Sequence, residues 1–267
     1  MPVARISGYV EERWSSAAWW SRRVAVFAAF VGAIAIATHR FGLIETIPFF
    51  WVLALVAALA GCALLLAAAG FQRVWHAGDR GGADLTIGLI VATLLLVPYA
   101  LAAWWAFSHP ALSDISTDLD DPPGLAAAAT FRTAGMNAIT LPTAEDRALQ
   151  TKAYPELTGR RYAVSFEQMT AEVEAQMQGR GWRIVSPLPA DGVETTIEAL
   201  ASLPVLAVDY DVAVRITDEG NAIYVDMRSA SRYGNRDMGL NAGRINDFLT
   251  ELDARANALA APAPPEQ

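Results

Sequence analysis

IPFFWVLALVAALAGCALLLAAAG, residues 47–70, carries no charged side chain from end to end. At about 1.5 Å of rise per residue a helix of this length crosses a hydrocarbon core of about 30 Å. Backbone facing lipid has to satisfy its own hydrogen bonds, so a run of this composition is read as a membrane-spanning helix and not as a buried strand. Two further apolar runs flank it, Val24–Thr38 and Leu85–Phe107. The first is short, but Trp19 and Trp20 precede it and Arg22 and Arg23 can snorkel to the interface. Aromatic side chains collect at the run ends, Trp19, Trp20 and Trp75 on one side and Phe49, Phe50, Trp51, Trp104 and Trp105 on the other, as interfacial belts do.

Basic residues near the span ends set the orientation. Arg5, Arg13, Arg22, Arg23, Arg73 and Arg80 fall on one side and Arg40 alone on the other. The positive-inside rule then puts the N-terminus in the cytoplasm of the inner (plasma) membrane and, after three crossings, everything beyond Ser108 outside it, in the periplasm of a diderm cell. The first run also fits a signal peptide, with Ala35-Ile36-Ala37 imitating a cleavage site; both readings leave the remainder outside. No Asp, Glu, Lys or Arg lies within the three runs, which argues against a transporter or proton relay. An anchor in the lipid bilayer, packed through Ala28, Gly32, Ala57 and Gly61, is the expectation. The chain divides into an anchor at 1–107 (spans near 20–39, 47–70 and 85–107), an extracytoplasmic domain at 108–260, and a tail at 261–267 whose composition is that of disorder.

The domain is acidic, with 13 Arg and Lys against 23 Asp and Glu from Ser108 onward. That charge argues against nucleic acid, whose phosphates require a basic face. The single cysteine, Cys62, lies in the second run, so disulfides and thiolate chemistry are excluded from the domain. His39, His76 and His109 are counted with the apolar half, which leaves the domain without a histidine. On that count no Ser-His-Asp or Cys-His mechanism is available.

Periodicity reads the domain as α+β. Ser165-Phe-Glu-Gln168 is a capping box, opening a helix with an apolar stripe of Phe166, Met169, Val173 and Met177. Trp182–Ser186 is a short strand ended by Pro187, and Val193–Ala199 alternates. In Val208–Ile216, Val208, Tyr210, Val212, Val214 and Ile216 face one way and Asp209, Asp211 and Arg215 the other. Asp218-Glu-Gly-Asn221 is a hairpin turn, Ala222–Ala230 returns, and Asn241–Leu259 is a final amphipathic helix. The expected fold is a membrane-anchored α+β protein: three transmembrane helices, then an antiparallel sheet of about four strands with two helices on one face and a solvated, charged second face.

The candidate binding site is Arg228, Ser229, Ser231 and Arg232 together with Asp237, Asn241 and Arg244, where a strand ends and a helix begins. Free N–H groups, hydroxyls and guanidinium groups there suit an anion. The competing reading is structural: Asp237 or Asn241 caps the helix and pairs with the arginines, and ion-pair networks are more often of that kind. The three arginines are expected to converge. Asp209 and Asp211 share a strand face and are candidate paired carboxylates, with a solvated face as the default. Asp118, Asp120 and Asp121 lack the spacing of a calcium loop, and His39 with His109 lack a metal-site pattern. No metal, cofactor or catalytic residue is assigned.

The segment Ile115-Ser-Thr-Asp-Leu-Asp-Asp-Pro-Pro123, the pair Tyr154-Pro155, Ile197-Glu198-Ala199, Asp209–Ile216 and above all Val225-Asp-Met-Arg-Ser-Ala-Ser-Arg232 running on to Asp237, Asn241 and Arg244 resemble the domain-of-unknown-function family 1499. The resemblance covers Ile115–Leu252 and departs from the pattern at Ala207-Val208, where an aromatic residue or glycine is expected. It implies a domain, often behind a few N-terminal spans, and no activity. Two functions stand: a tethered domain binding a small anionic ligand, a lipid head group or an envelope protein, and a carboxylate-type enzyme on an envelope substrate. Scaffolding by the helices is a third.

Overall fold

A computed structural model describes residues 13–186 and 192–260. Arg5, Pro187 and the tail at 261–267 lie outside the described residues. The chain forms two compact units, Met1–Ala102 and Ala103–Gln267.

In the first unit three helices are long and apolar enough to cross a membrane: α1 (Ser16–Arg40), α2 (Thr46–Ala77) and α3 (Gly82–Ser108). Each outruns the apolar run that predicted it, because helical backbone continues through the polar flanks. The Ser15 hydroxyl caps α1 by accepting from the Ala18 N–H, and Gly78 ends α2 at a φ of 72°. Small side chains set the packing. Ala18, Ala25, Ala28, Gly32 and Ala35 of α1 are buried, facing a ladder on α2 that includes Val56, Ala60, Ala63 and Gly70. A methyl group at Gly70 would sit 2.8 Å from the Ala18 nitrogen, and one at Gly88 of α3 would sit 2.2 Å from Ser21 Oγ. Ala28 and Gly32 are at the seam as expected. Gly61 is not, since a methyl group there meets nothing within 4 Å.

In the second unit an antiparallel sheet is built from β1 (Asp114–Ser116), β2 (Arg160–Tyr162), β3 (Arg183–Ile184), β4 (Glu194–Ser202), β5 (Asp209–Asp218) and β6 (Ile223–Ser231). Its order is β1-β6-β5-β4-β3, with β2 also on the outer edge of β6. The sheet has six strands where periodicity showed about four; β1 and β2 are three residues each, too short to show alternation. The β5–β6 hairpin turns where Gly220 takes a φ of 84° and donates its N–H to Asp218 Oδ1.

Two helices, α6 (Phe166–Gly179) and α7 (Leu240–Ala260), cover one face. The capping box of α6 is complete, Ser165 Oγ accepting from Gln168 N and Gln168 Oε1 from Ser165 N. Met169, Val173 and Met177 of α6 and Ile245, Phe248, Leu249 and Leu252 of α7 are buried against Ile197, Val212, Val214, Ile216, Val225 and Met227. Each such side chain contributes about 1.5–3 kcal/mol by leaving water.

The opposite face is not solvated, and this corrects the expectation from alternation. Residues 117–143 fold over it, including the one-turn helix α4 (Ala126–Ala129). Leu125 and Ala128 form a second small core with Leu200, Ala213 and Ala230. The Glu198 carboxylate accepts from the Ala127 and Ala128 N–H groups at 3.1 and 2.8 Å and so fixes α4. A further helix, α5 (Ala144–Ala153), starts at its own capping box of Thr143 and Asp146.

Candidate functional site

Period-2 geometry divides the seven candidate residues between the two sides of β6. Arg228 and Arg232 point to the face under residues 117–143, and Ser229 and Ser231 to the face under α7. The expected convergence of the three arginines does not occur, because the sheet itself separates Arg228 and Arg232 from Arg244.

On the first side the arginines are paired with carboxylates, although Arg132 Nη2 is buried without a hydrogen-bond partner. Arg228 donates from Nε and Nη2 to both oxygens of Asp114 at 3.0 and 2.8 Å, from Nη1 to the Pro123 carbonyl and from Nη2 to the Thr140 carbonyl. Arg232 donates twice to Asp211 Oδ1, while Arg132 donates to Asp211 Oδ2 at 2.6 Å. Arg215 joins Asp118, Asp121 and Asp226, and Asp226 also accepts from the Thr117 hydroxyl. Arg228, Arg232, Asp211 and Asp226 are all buried. Charges removed from water require partners, and here they have them. Asp209, which accepts from Ser202, lies 3.6 Å from Arg232. The candidate paired carboxylates are therefore tied to arginines and to a neighbouring hydroxyl, an arrangement that supports structure and leaves no free carboxylate pair for proton transfer.

On the α7 side the arrangement differs. Met238 and Gly239 take left-handed φ of 58° and 82°, and the ring of His109 packs so close to Gly239 that a methyl group there would lie 2.5 Å from His109 Cδ2. His109 thus belongs with the second unit, which corrects the count that left this domain without a histidine. Asp237 caps α7, Oδ2 accepting from the Asn241 N–H and Oδ1 from the Gly239 N–H. Asn241 is fully buried and its amide is fully used. Nδ2 donates to the Ser113 carbonyl and Ser231 Oγ, and Oδ1 accepts from Ser229 Oγ and Arg244 Nη1.

Arg244 is the exception among these arginines. Nη1 donates to Ser229 Oγ and Asn241 Oδ1, both at 2.9 Å, and the guanidinium lies 4.2 Å from the centre of the Tyr210 ring. No carboxylate lies within 4.0 Å of it among the described residues, and Nε and Nη2 make no hydrogen bond to them. Burial lowers its pKa. Burial raises that of Asp237 against the pull of the capping N–H groups and of Arg244. Tyr154, missed as a site residue, belongs to the same neighbourhood: burial and the charge of Asp237 push its phenol up to about 12, and its buried hydroxyl has no hydrogen-bond partner. Burial likewise raises Tyr210. The Tyr154-Pro155 pair was visible in the sequence, but nothing local tied it to a helix that starts near residue 240.

Five of the seven candidate residues are thus assembled: Ser229, Ser231, Asp237, Asn241 and Arg244. A cation with free donors has the chemistry to receive an anion, and the unused phenol hydroxyl lies within reach of the charge on Asp237, which caps the same helix. No group of three or more His, Cys, Asp and Glu among the described residues is arranged to hold a metal. A family model described as a protein of unknown function, DUF1499, matches residues 114–252, more than half of the chain and all of this site. No curated protein matches the chain.

Proposed function

The chain belongs to this family, whose description assigns no activity, and from that premise we propose that it is a membrane-tethered domain, held outside the cytoplasm by α1–α3, which binds a small anionic group at Arg244. The observation that carries this reading is the half-buried Arg244 guanidinium, which has no carboxylate partner among the described residues of a domain where acids outnumber bases. A buried cation is costly unless compensated. Tyr210, Ser229 and Asn241 hold Arg244 in place without neutralising it, and the Tyr154 hydroxyl supplies a second donor. A phosphate or carboxylate, free or on an envelope partner, completes the set. The positive-inside count supports the sidedness. A binding role is favoured over an enzyme of carboxylate type because Asp209, Asp211 and Asp226 are committed elsewhere.

The test is a thermal melt of the detergent-solubilised full chain with rising phosphate or acetate. A ligand at a hundredfold excess over its Kd stabilises by about 2.7 kcal/mol. Arg244→Gln removes that response. Tyr154→Phe, which breaks no bond, weakens it while leaving the ligand-free melting temperature unchanged. A parent protein indifferent to both anions sinks the reading.

A further inference from the structure

The first unit carries a groove of about 660 Å³ lined by Trp14, Trp19, Arg22, Arg23, Val26, Phe27, Phe30 and Asp84. Its residues come from the start of α1, the segment before it and the first turn of α3. The groove has two chemically distinct ends. At one end stand two guanidinium groups. Arg22 donates from Nη1 to Asp84 at 2.9 Å, which leaves its other N–H groups available. Arg23 lies 3.7 Å from the centre of the Trp19 ring and has no carboxylate partner among the described residues. Stacking on the indole fixes the guanidinium plane, so less freedom is lost when its fork closes on an oxyanion. Two arginines against one aspartate leave this end with a net positive charge. At the other end, one to two helical turns deeper along α1, Phe27 and Phe30 are 59% and 65% exposed.

We propose that this groove is a site for one anionic phospholipid, its phosphate on Arg22 and Arg23 and its acyl chains on Val26, Phe27 and Phe30. A free inorganic anion satisfies only the arginines and leaves the phenyl rings uncovered. A zwitterionic lipid covers the rings but brings its own cation to a site that already has a surplus. The spacing matches the depth of a lipid, since the arginines and Trp19 sit at the polar flank of the apolar run and the phenylalanines inside it. Trp14 is held at the rim by a backbone bridge to Arg80. The inference rests on α1–α3 lying in a membrane. It is independent of the sidedness of the chain and of Arg244.

The experiment is native mass spectrometry of the full chain in detergent, titrated with phosphatidylglycerol or phosphatidylcholine of the same acyl chains. One phosphatidylglycerol is retained in preference to phosphatidylcholine. Arg22→Gln and Arg23→Gln each weaken it about fivefold, as expected for one basic residue at an anionic lipid surface. Phe27→Ala with Phe30→Ala weakens it as well, whereas Arg73→Gln, away from the groove, does not. Equal retention of the two lipids marks ordinary annular lipid and overturns the proposal, as does equal binding of glycerophosphoglycerol without acyl chains. Selective retention that appears only after deletion of residues 1–12 assigns the groove to the chain's own beginning, and retention lost in step with a dimer assigns it to a second copy; both overturn it. A full chain that stays soluble without detergent refutes the membrane reading instead, which separates that failure from this one.

Discussion

Arg232 donates from both Nε and Nη2 to a single oxygen of Asp211, at 2.9 and 2.7 Å, with Asp211 wholly buried and Arg232 nearly so. The second oxygen of Asp211 serves Arg132. Removing Arg232 strands part of a buried charge, and breaking one side of such a pair costs about 3–5 kcal/mol. Arg232→Ala is expected to lower the unfolding free energy by that amount, while the melting response to phosphate persists. A variant of parental stability that no longer responds to phosphate would return Arg232 to the ligand site.

The acid limb of stability depends on Asp118. Burial pushes its carboxyl upward, but N–H groups of Asp121 and Asp120 together with Arg215 outweigh that and hold it below its ordinary 3.8. A folded value below the unfolded one means a stabilising contribution that is present above the unfolded value and lost as pH falls through the folded one. Asp118→Asn is therefore expected to flatten the loss of stability on acidification. Melts of parent and variant that stay parallel between pH 5 and pH 2 would contradict this (about three decades spanning the ordinary carboxylate range).

Asp237 has the opposite sign. Burial raises its pKa, so its contribution favours the folded state below the unfolded value and fades as pH rises through the folded one. Asp237→Asn keeps an acceptor at the cap of α7 and removes this dependence. The check is the difference in melting temperature between the two proteins, which should grow in favour of the variant from acid to neutral pH.

In the first unit, close approach predicts which glycines matter. Gly88→Ala places a methyl group against Ser21 Oγ and the Arg22 backbone, and overpacking of this kind costs about 1–3 kcal/mol. Gly61→Ala meets open space and should leave the melting temperature in detergent unchanged. Equal effects at the two positions would show that the helices pack otherwise.

Sidedness has a direct check. A phosphatase reporter fused after Leu252 should be active and a fluorescent reporter that matures only in the cytoplasm should be dark; the reverse pair inverts the topology.

What the sequence disclosed was local or periodic. Ser165 and Gln168 are three residues apart and form their box regardless of the remaining fold, and Gly220 marks a turn because its φ is one that side chains disfavour. Alternation along Val208–Ile216 set the two faces of β5 correctly. It could not say what covers the second face, because residues 117–143 have no period. Their one-turn helix is fixed by Glu198, 70 residues further on. The start of α5 was within reach, since Thr143 and Asp146 have capping-box spacing. The grouping of Arg228 and Arg232 with Arg244 followed proximity along the chain, where the pleat of β6 puts them on opposite sides. Tyr154 was missed because its neighbour, Asp237, comes from a distant loop.

The pairing of β1 with β6 also has a consequence for the order in which the domain can be completed. Asp114 meets Arg228 across 114 positions of sequence, so the first strand made waits for the last. Synthesis runs from the N-terminus, and long-range closure is slow compared with the formation of hairpins and helices. Until β5 and β6 emerge, Asp118 and Asp121 lack Arg215 and Asp114 lacks Arg228, and the nascent stretch behind α3 is an acidic, water-loving strand. An unpaired edge is a hazard for aggregation when it is apolar and much less so when it carries charge. The same carboxylates that later bind Arg215 and Arg228 therefore keep the waiting chain dispersed, and the last two strands to appear are the ones that neutralise them.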